Sequence, residues 1–346
     1  EQEQRDFTFT LAPHVDVWVP FARRALVTTS VTTDLVYYQT YASERSFNPD
    51  VKVRGDLFLN RITLFAEPRW LRSRQRMNYE IDARAQREER TLRGGVNVRI
   101  FPKLSIELAG SQAELAFDAE ETFNDTSLQE TLNRETRIVS ATVRHQTTPY
   151  TTIAVRADRA TDRFEFSPLR DSDSNRVMAG VEFNPRALIS GTGYVGVRRF
   201  TPTDEALEGF SGLAANATLG YTLLGSTRFL FTADRDVTYS YERAQPYYVV
   251  DGYGLMVRRR LIGRTDITGG VQRHKYTYRD LVVAGIPGAE LNRVDVTRTW
   301  LATFGYRFGD STRLGFGAFY RERHSNSSRF RDYEGFRFAS TIDYGF

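Results

Sequence analysis

The chain contains no cysteine, which removes disulfide frameworks, thiolate metal sites and cysteine nucleophiles together. No run approaches the roughly 18 consecutive apolar residues that a membrane-spanning helix needs. Lysine is confined to Lys52, Lys103 and Lys275, so almost all of the 47 basic residues are arginine. They are nearly matched by 43 carboxylates, leaving a formal charge of +4. That balance argues against the basic stripe of a nucleic-acid binder. Histidine is scarce as well: His14, His145, His274 and His324. None stands in HExxH spacing, and no Gly-x-Ser-x-Gly elbow, phosphate loop, dinucleotide fingerprint or haem motif occurs. The expectation is no enzyme, no metal and no cofactor. His14 and Asp16 lie two apart on one strand face and are placed to pair, so a hydrolase with residues on distant strands remains a minor alternative. Asp171-x-Asp173-x-Asn175 with Glu182 copies the carboxylate spacing of a calcium loop. Arg176, however, occupies the position of the turn glycine, and Val177 opens a strand pattern.

What the chain does have is alternation. Phe7, Phe9, Leu11, Val15, Val17 and Val19 share one parity, and Thr8, Thr10, His14 and Asp16 share the other. Successive side chains on a strand point to opposite faces, so this predicts one apolar and one polar face. Pro13 within it signals a bulge or an edge. The same pattern recurs, with Val51, Val53 and Leu57 against Lys52, Arg54 and Asp56, and Phe316, Ala318 and Tyr320 against Gly315, Gly317 and Arg321. Connections of two lengths alternate between these segments. Short ones fall near 20–23, 59–61, 101–103, 148–150, 184–189, 223–226, 261–264 and 308–311. Long polar ones cover 40–50, 118–133, 166–173, 201–210 and 279–290. About seventeen strands are readable, with the least regular stretch between Pro68 and Arg90.

Short turns on one rim and long loops on the other predict a single domain over 1–346, an all-β transmembrane antiparallel up-and-down barrel in the outer membrane of a Gram-negative bacterium. A mean hydropathy of −0.45 does not oppose this, because each strand gives one face to lipid and one to water. Aromatics at 13% suit interfacial girdles. An even strand number places one further strand before Glu1, for eighteen; sixteen is the count if one strand is split falsely. A start at Glu1 without Met fits a processed or truncated exported form. The competing reading is a soluble antiparallel protein with one face in a core, which gives no reason for loop length to alternate.

The polar parity then defines a lumen wall, formed by Arg54, Asp56, Arg93, Arg99, Arg144, Arg156, Asp158, Glu182, Arg198, Arg228, Asp234, Asp236, Asp295, Arg307, Arg313, Arg321, Arg337 and Asp343. Such a wall either carries a charged path for anions or acidic sugars, or simply ties neighbouring strands together. The corresponding functions are a passive porin or export channel for polysaccharide or another polar solute, gated by outer loops such as 118–133, and a structural barrel with a plugged lumen that anchors a partner assembly.

The phrases Arg93-Gly94-Gly95-Val96, Met178-Ala179-Gly180-Val181-Glu182-Phe183 and Thr303-Phe304-Gly305-Tyr306-Arg307-Phe308, with the turn Phe308-Gly309-Asp310-Ser311, carry a family likeness. Over most of its length the chain resembles the putative β-barrel porins of the second type. The resemblance implies a barrel of sixteen to eighteen strands, a link to exopolysaccharide export and a periplasmic export partner, with no catalytic residue to carry over. The terminus Tyr344-Gly345-Phe346 resembles the closing signal read by the barrel assembly machinery, although Thr341 stands where that signal usually has glycine. Outer-membrane lipid is the remaining expected partner.

Overall fold

The computed structural model describes residues 6–21, 23–78, 80–261, 263–281, 292–309, 311–327 and 332–345. Most of the turn segment Phe308–Ser311 falls within them, whereas Phe346 and most of the expected long connection 279–290 lie outside. The strands are β1 (Thr8–Leu11), β2 (His14–Phe21), β3 (Ala25–Tyr38), β4 (Ser46–Leu59), β5 (Ile62–Arg76), β6 (Arg84–Phe101) and β7 (Leu104–Phe117). A small hairpin of β8 (Thr122–Phe123) and β9 (Thr126–Ser127) leads into helix α1 (Leu128–Leu132). The series continues with β10 (Arg134–Thr148), β11 (Thr151–Phe164), β12 (Ser172–Phe183), β13 (Ile189–Pro202), β14 (Phe210–Leu223) and β15 (Thr227–Tyr239). It ends with β16 (Tyr247–Arg260), β17 (Thr265–Arg279), β18 (Val294–Phe308), β19 (Thr312–Ser325) and β20 (Tyr333–Tyr344).

Apart from the small hairpin, each strand pairs antiparallel with the next along one 18-stranded sheet. That number counts β1 and β2 separately. Both pair with β3 in one register, Leu11 opposite Leu35 and His14 opposite Thr32. They are therefore one strand interrupted at Pro13, and the sheet makes the seventeen crossings expected. Proline has no N–H for a second neighbour, and here it sits on an edge strand, where none is needed. The other edge is β20. Among the described residues no pairing joins β20 to β1 or β2, so the expected closure is not made by these strands.

The eight short connections fall at one end and the long ones at the other, as the sequence predicts. Three corrections apply at the long-loop end. Residues 46–50 belong to β4 and not to a loop, and the irregular stretch Pro68–Arg90 resolves into β5 and β6 around a connection at 77–83. Connections 240–246 and 326–332 also belong to this end and were not anticipated. The sequence hides them because the flanking strands carry tyrosine or arginine on both parities there.

Register keeps parity across the sheet. Asn216 faces Asp234, which faces Gly252, then His274, Thr297 and Arg323. One face therefore collects Val139, Val155, Val177, Val197, Leu213 and Phe316, all about half exposed or more, an apolar area far too large for a water-facing surface. Strands such as β6 with 18 residues exceed the roughly ten needed to cross a tilted bilayer. The excess lies toward the long loops. There the apolar face changes character, with ion pairs Arg90–Glu88 and Arg137–Glu135 at 2.5 Å and Arg298–Glu322 at 2.7 Å. Trp300 and Tyr320, rings 5.4 Å apart, stand just below the last of these, the position of an interfacial aromatic girdle.

Candidate functional site

The opposite face carries the charges, and every residue expected on the lumen wall lies on it. In its middle the charges form a lattice. Arg54 holds Asp56 at 2.8 Å and Glu67 at 3.2 Å, and Lys52 reaches Glu67 at 3.1 Å. The guanidinium groups of Arg54 and Arg93 lie over the ring of Phe65, 4.7 and 5.1 Å from its centroid. Gly95 leaves the space for that ring, since a Cβ there would meet Phe65 Cζ at 2.9 Å. Arg93 continues to Glu107 at 2.6 Å, Glu107 to Arg144 at 2.8 Å, and Arg144 to Glu182 at 3.1 Å. Glu182 also accepts a hydrogen bond from the Tyr194 hydroxyl. A second run links Arg156 to Asp158 (2.6 Å), Asp158 to Arg176 (3.0 Å), and Arg176 and Arg198 to Asp236 (2.9 and 2.5 Å). Apart from Arg54–Asp56 and Arg156–Asp158, which lie on one strand, these partners sit one to three strands apart, so they bind the wall crosswise. Most remain partly exposed, which keeps each pair weak and the surface wettable.

Elsewhere the expected residues are dispersed. Asp234 stands 3.8 Å from His274. Arg313 bridges Asp266 (2.8 Å) and Asp343 (3.2 Å), and Arg321 lies 3.9 Å from Asp82. Arg99 donates to the carbonyl of Asn60 at 3.3 Å. Arg228, Arg307 and Arg337 are exposed. Asp295 is fully buried between Arg293 and Arg323, both at 2.5 Å, and accepts from the Ser325 hydroxyl. The histidines are distributed over β2, β10, β17 and β19, with His274 and His324 on opposite faces. His14 does meet Asp16, at 3.0 Å, and also Thr32. The calcium-like spacing starts at Asp171, just before β12, and is spread along that strand. Asp171 accepts from the Phe164 backbone, Asp173 pairs with Arg163, and Glu182 is engaged at the far end.

The lattice hubs Glu67, Glu107, Arg176 and Asp266 were not anticipated. Parity alone would have found Glu107, between Ile106 and Leu108. Pro68 obscures Glu67, and Arg176 stands at the turn-glycine position of the calcium-like spacing, just before the strand pattern that opens at Val177.

At the long-loop end the wall gives way to a dry cluster. Leu128 and Leu132 of α1 pack with Ile81, Leu115, Phe117 and Tyr241. Ser127 caps the helix by accepting from the Glu130 amide, and Asn124 donates to the Tyr241 hydroxyl. Arg170, 1% exposed, donates to the carbonyls of Thr131 and Glu242 at 3.1 and 2.8 Å. Glu80, equally buried, accepts from the Ser240 hydroxyl at 2.6 Å, while its own carbonyl accepts from Arg323 at 3.1 Å. Burial pushes the Glu80 carboxyl up to about 7, against the opposing pull of Arg293 and Arg323. Loops from β5–β6, β7–β10, β11–β12 and β15–β16 thus meet a side chain of β19. The cluster links the β5–β6 loop to the β15–β16 loop and to β19 across the polar face at the long-loop end.

A family model described as putative beta-barrel porin 2 matches residues 1–342. No curated protein matches the chain. Among solved structures, the FrpB iron transporter from Neisseria meningitidis is similar at 9% identity, with a TM-score of 0.52, over 99% of this chain and 66% of that one. FpvA from Pseudomonas aeruginosa, in a complex with a heterologous pyoverdine and iron, is similar at 8% identity, with a TM-score of 0.50, over 97% of this chain and 58% of that one. The chain spans less than two thirds of the length of either, and at these identities the likeness is one of fold.

Proposed function

The chain belongs to the putative beta-barrel porin 2 family, and from that premise we propose an outer-membrane channel that passes polar solutes, most concretely polysaccharide, along its arginine–carboxylate face. The observation that carries this reading is the contrast between the two faces of one sheet. An apolar face with half-exposed valine, leucine and phenylalanine suits lipid, and a partly exposed lattice of ion pairs suits water. Closed into a barrel, a sheet of this strand number encloses more space than its own side chains fill. Hydroxyl-rich chains suit such a wall, because paired guanidinium and carboxylate groups offer donors and acceptors at short intervals.

Transport through it is diffusive or threading, with the loop cluster setting the width of the outer mouth. A periplasmic export partner and insertion by the assembly machinery belong to the same proposal. Single-channel recording on protein reconstituted in planar bilayers is the test: discrete current steps, blocked by added dextran oligomers, are expected. A silent barrel would reject conduction.

The buried cluster favours a second reading, a plugged structural barrel that anchors a surface or periplasmic assembly. Loss of the packing in Leu132→Ala separates the two. A channel gains conductance when its mouth loosens, and a scaffold stays silent.

A further inference from the structure

The short-turn end of the polar face differs from the lattice above it. Antiparallel register sets Arg228 of β15 directly opposite Arg258 of β16, and Arg307 of β18 directly opposite Arg313 of β19. Like charges directly opposite one another on a sheet destabilise it. Arg260 adds a further guanidinium on the same face, opposite Asp266. Five arginines on four strands thus surround one carboxylate of β17: Asp266 lies 3.3 Å from Arg258 and 2.8 Å from Arg313. Asp343 on the edge strand shares Arg313 at 3.2 Å. Arg228, Arg260 and Arg307 are exposed and meet no carboxylate among the described residues.

Glycine makes the cluster feasible. At Gly305 a Cβ would fall 2.2 Å from a terminal guanidinium nitrogen of Arg313, so this arginine lies flat across the gap to reach Asp266. At Gly220 a Cβ would stand 3.3 Å from Arg228. Both arginines are thereby laid along the wall.

The connections reinforce the contrast. The short ones carry Arg23, Arg24, Arg61, Lys103, Arg186 and Arg264, all exposed, against a single carboxylate in sequence, Asp310. Each long connection holds at least one, for example Glu44, Asp82, Glu121, Asp204 and Asp332. Charge is therefore polarised along the channel axis, basic at the short-turn mouth and acidic at the other.

We propose that Arg228, Arg258, Arg260, Arg307 and Arg313 form an oxyanion-binding site at the short-turn mouth that captures the carboxylates of an acidic polysaccharide. The planar guanidinium fork matches a carboxylate in two-point contact. An array on neighbouring strands engages several carboxylates of one chain, and a basic entrance raises the local concentration of a polyanion. The turn-tip bases alone would equally suit phospholipid headgroups. The five arginines decide for a solute, because they stand on the polar face and not on the apolar one. The inference deepens the channel reading by naming the solute class and its entry side.

The test uses the full chain in phosphatidylcholine nanodiscs, with titration of polygalacturonate oligomers, neutral dextran oligomers and inorganic phosphate. Polygalacturonate is expected to bind with affinity that falls as salt is raised, and dextran only weakly and without that salt dependence. Arg228→Gln combined with Arg307→Gln, which removes no observed ion pair, is expected to weaken binding by about tenfold or more. Unchanged affinity in that variant overturns the proposal. Phosphate binding as tightly as the polymer would mark a small-anion site and also overturn it, as would binding that appears only when phosphatidylglycerol is present. Binding does not require conduction. A silent barrel that still binds polygalacturonate refutes the channel and keeps the site, and a conducting barrel that ignores it does the reverse.

Discussion

The middle of the wall and the long-loop cluster both contain arginine and carboxylate, yet they treat charge in opposite ways. In the wall, Glu107, Arg144 and Asp236 pair with residues brought alongside by register and stay partly exposed. In the cluster, Asp295 of β18, Arg323 of β19 and Arg293 just before β18 are stripped of water where the loops cover the strand ends. The first arrangement tolerates the loss of a member because water replaces it. The second does not, since a lone buried charge has nothing to replace its partner. On the proposed channel reading, the wall is the surface along which solute moves and the cluster decides whether the mouth is shut.

Breaking the buried side of this comparison has the largest expected effect. Arg323→Ala leaves Asp295 with half its charge partners and removes the donor to the Glu80 carbonyl. A loss of about 3–5 kcal/mol is expected, visible as faster hydrogen exchange in 77–83 and 240–246. Next is the lipid-facing side. Val143→Arg, midway along the lipid-facing part of β10 and 42% exposed, is expected to cost about 2–4 kcal/mol in bilayers, read from the urea midpoint of unfolding from liposomes.

Glu80 sharpens the contrast through pH. Its carboxyl is raised to about 7 in the fold, above the unfolded value of about 4.3. The folded state therefore keeps a proton that the unfolded state has lost between those values. Stability from this group is full below the unfolded value and disappears as pH rises through about 7. The cluster is thus expected to loosen, and open probability to rise, as pH climbs from about 4.3 to about 7 in single-channel records, with no further change above that. Glu80→Gln is expected to flatten that profile. The smallest effect belongs to the wall. Arg144→Gln is expected to change stability by about 1 kcal/mol or less, while shifting anion-over-cation selectivity measured as a reversal potential.

The two regions were also unequally legible. Strand alternation is local: Val51, Val53 and Leu57 against Arg54 and Asp56 give faces, strand number and wall residues without any knowledge of partners. Even Pro13 announced its edge strand. The hubs Glu107 and Arg176 obeyed the same parity. The cluster rests on contacts between residues far apart in the chain, such as Glu80 with Ser240, separated by 160 positions. Loops have no period, so nothing at 77–83 or 240–246 signals that they turn inward. The like-charge pairs at the short-turn mouth were hidden for a related reason, because only register sets Arg228 against Arg258.

The natural absence of cysteine allows the central claim to be measured directly. Single substitutions Val143→Cys, Arg144→Cys, Val155→Cys and Arg156→Cys, placed in liposomes, are exposed to a charged, membrane-impermeant thiol reagent. The account predicts fast modification at 144 and 156 and protection at 143 and 155. Equal reactivity at all four, or the reverse pattern, would contradict it.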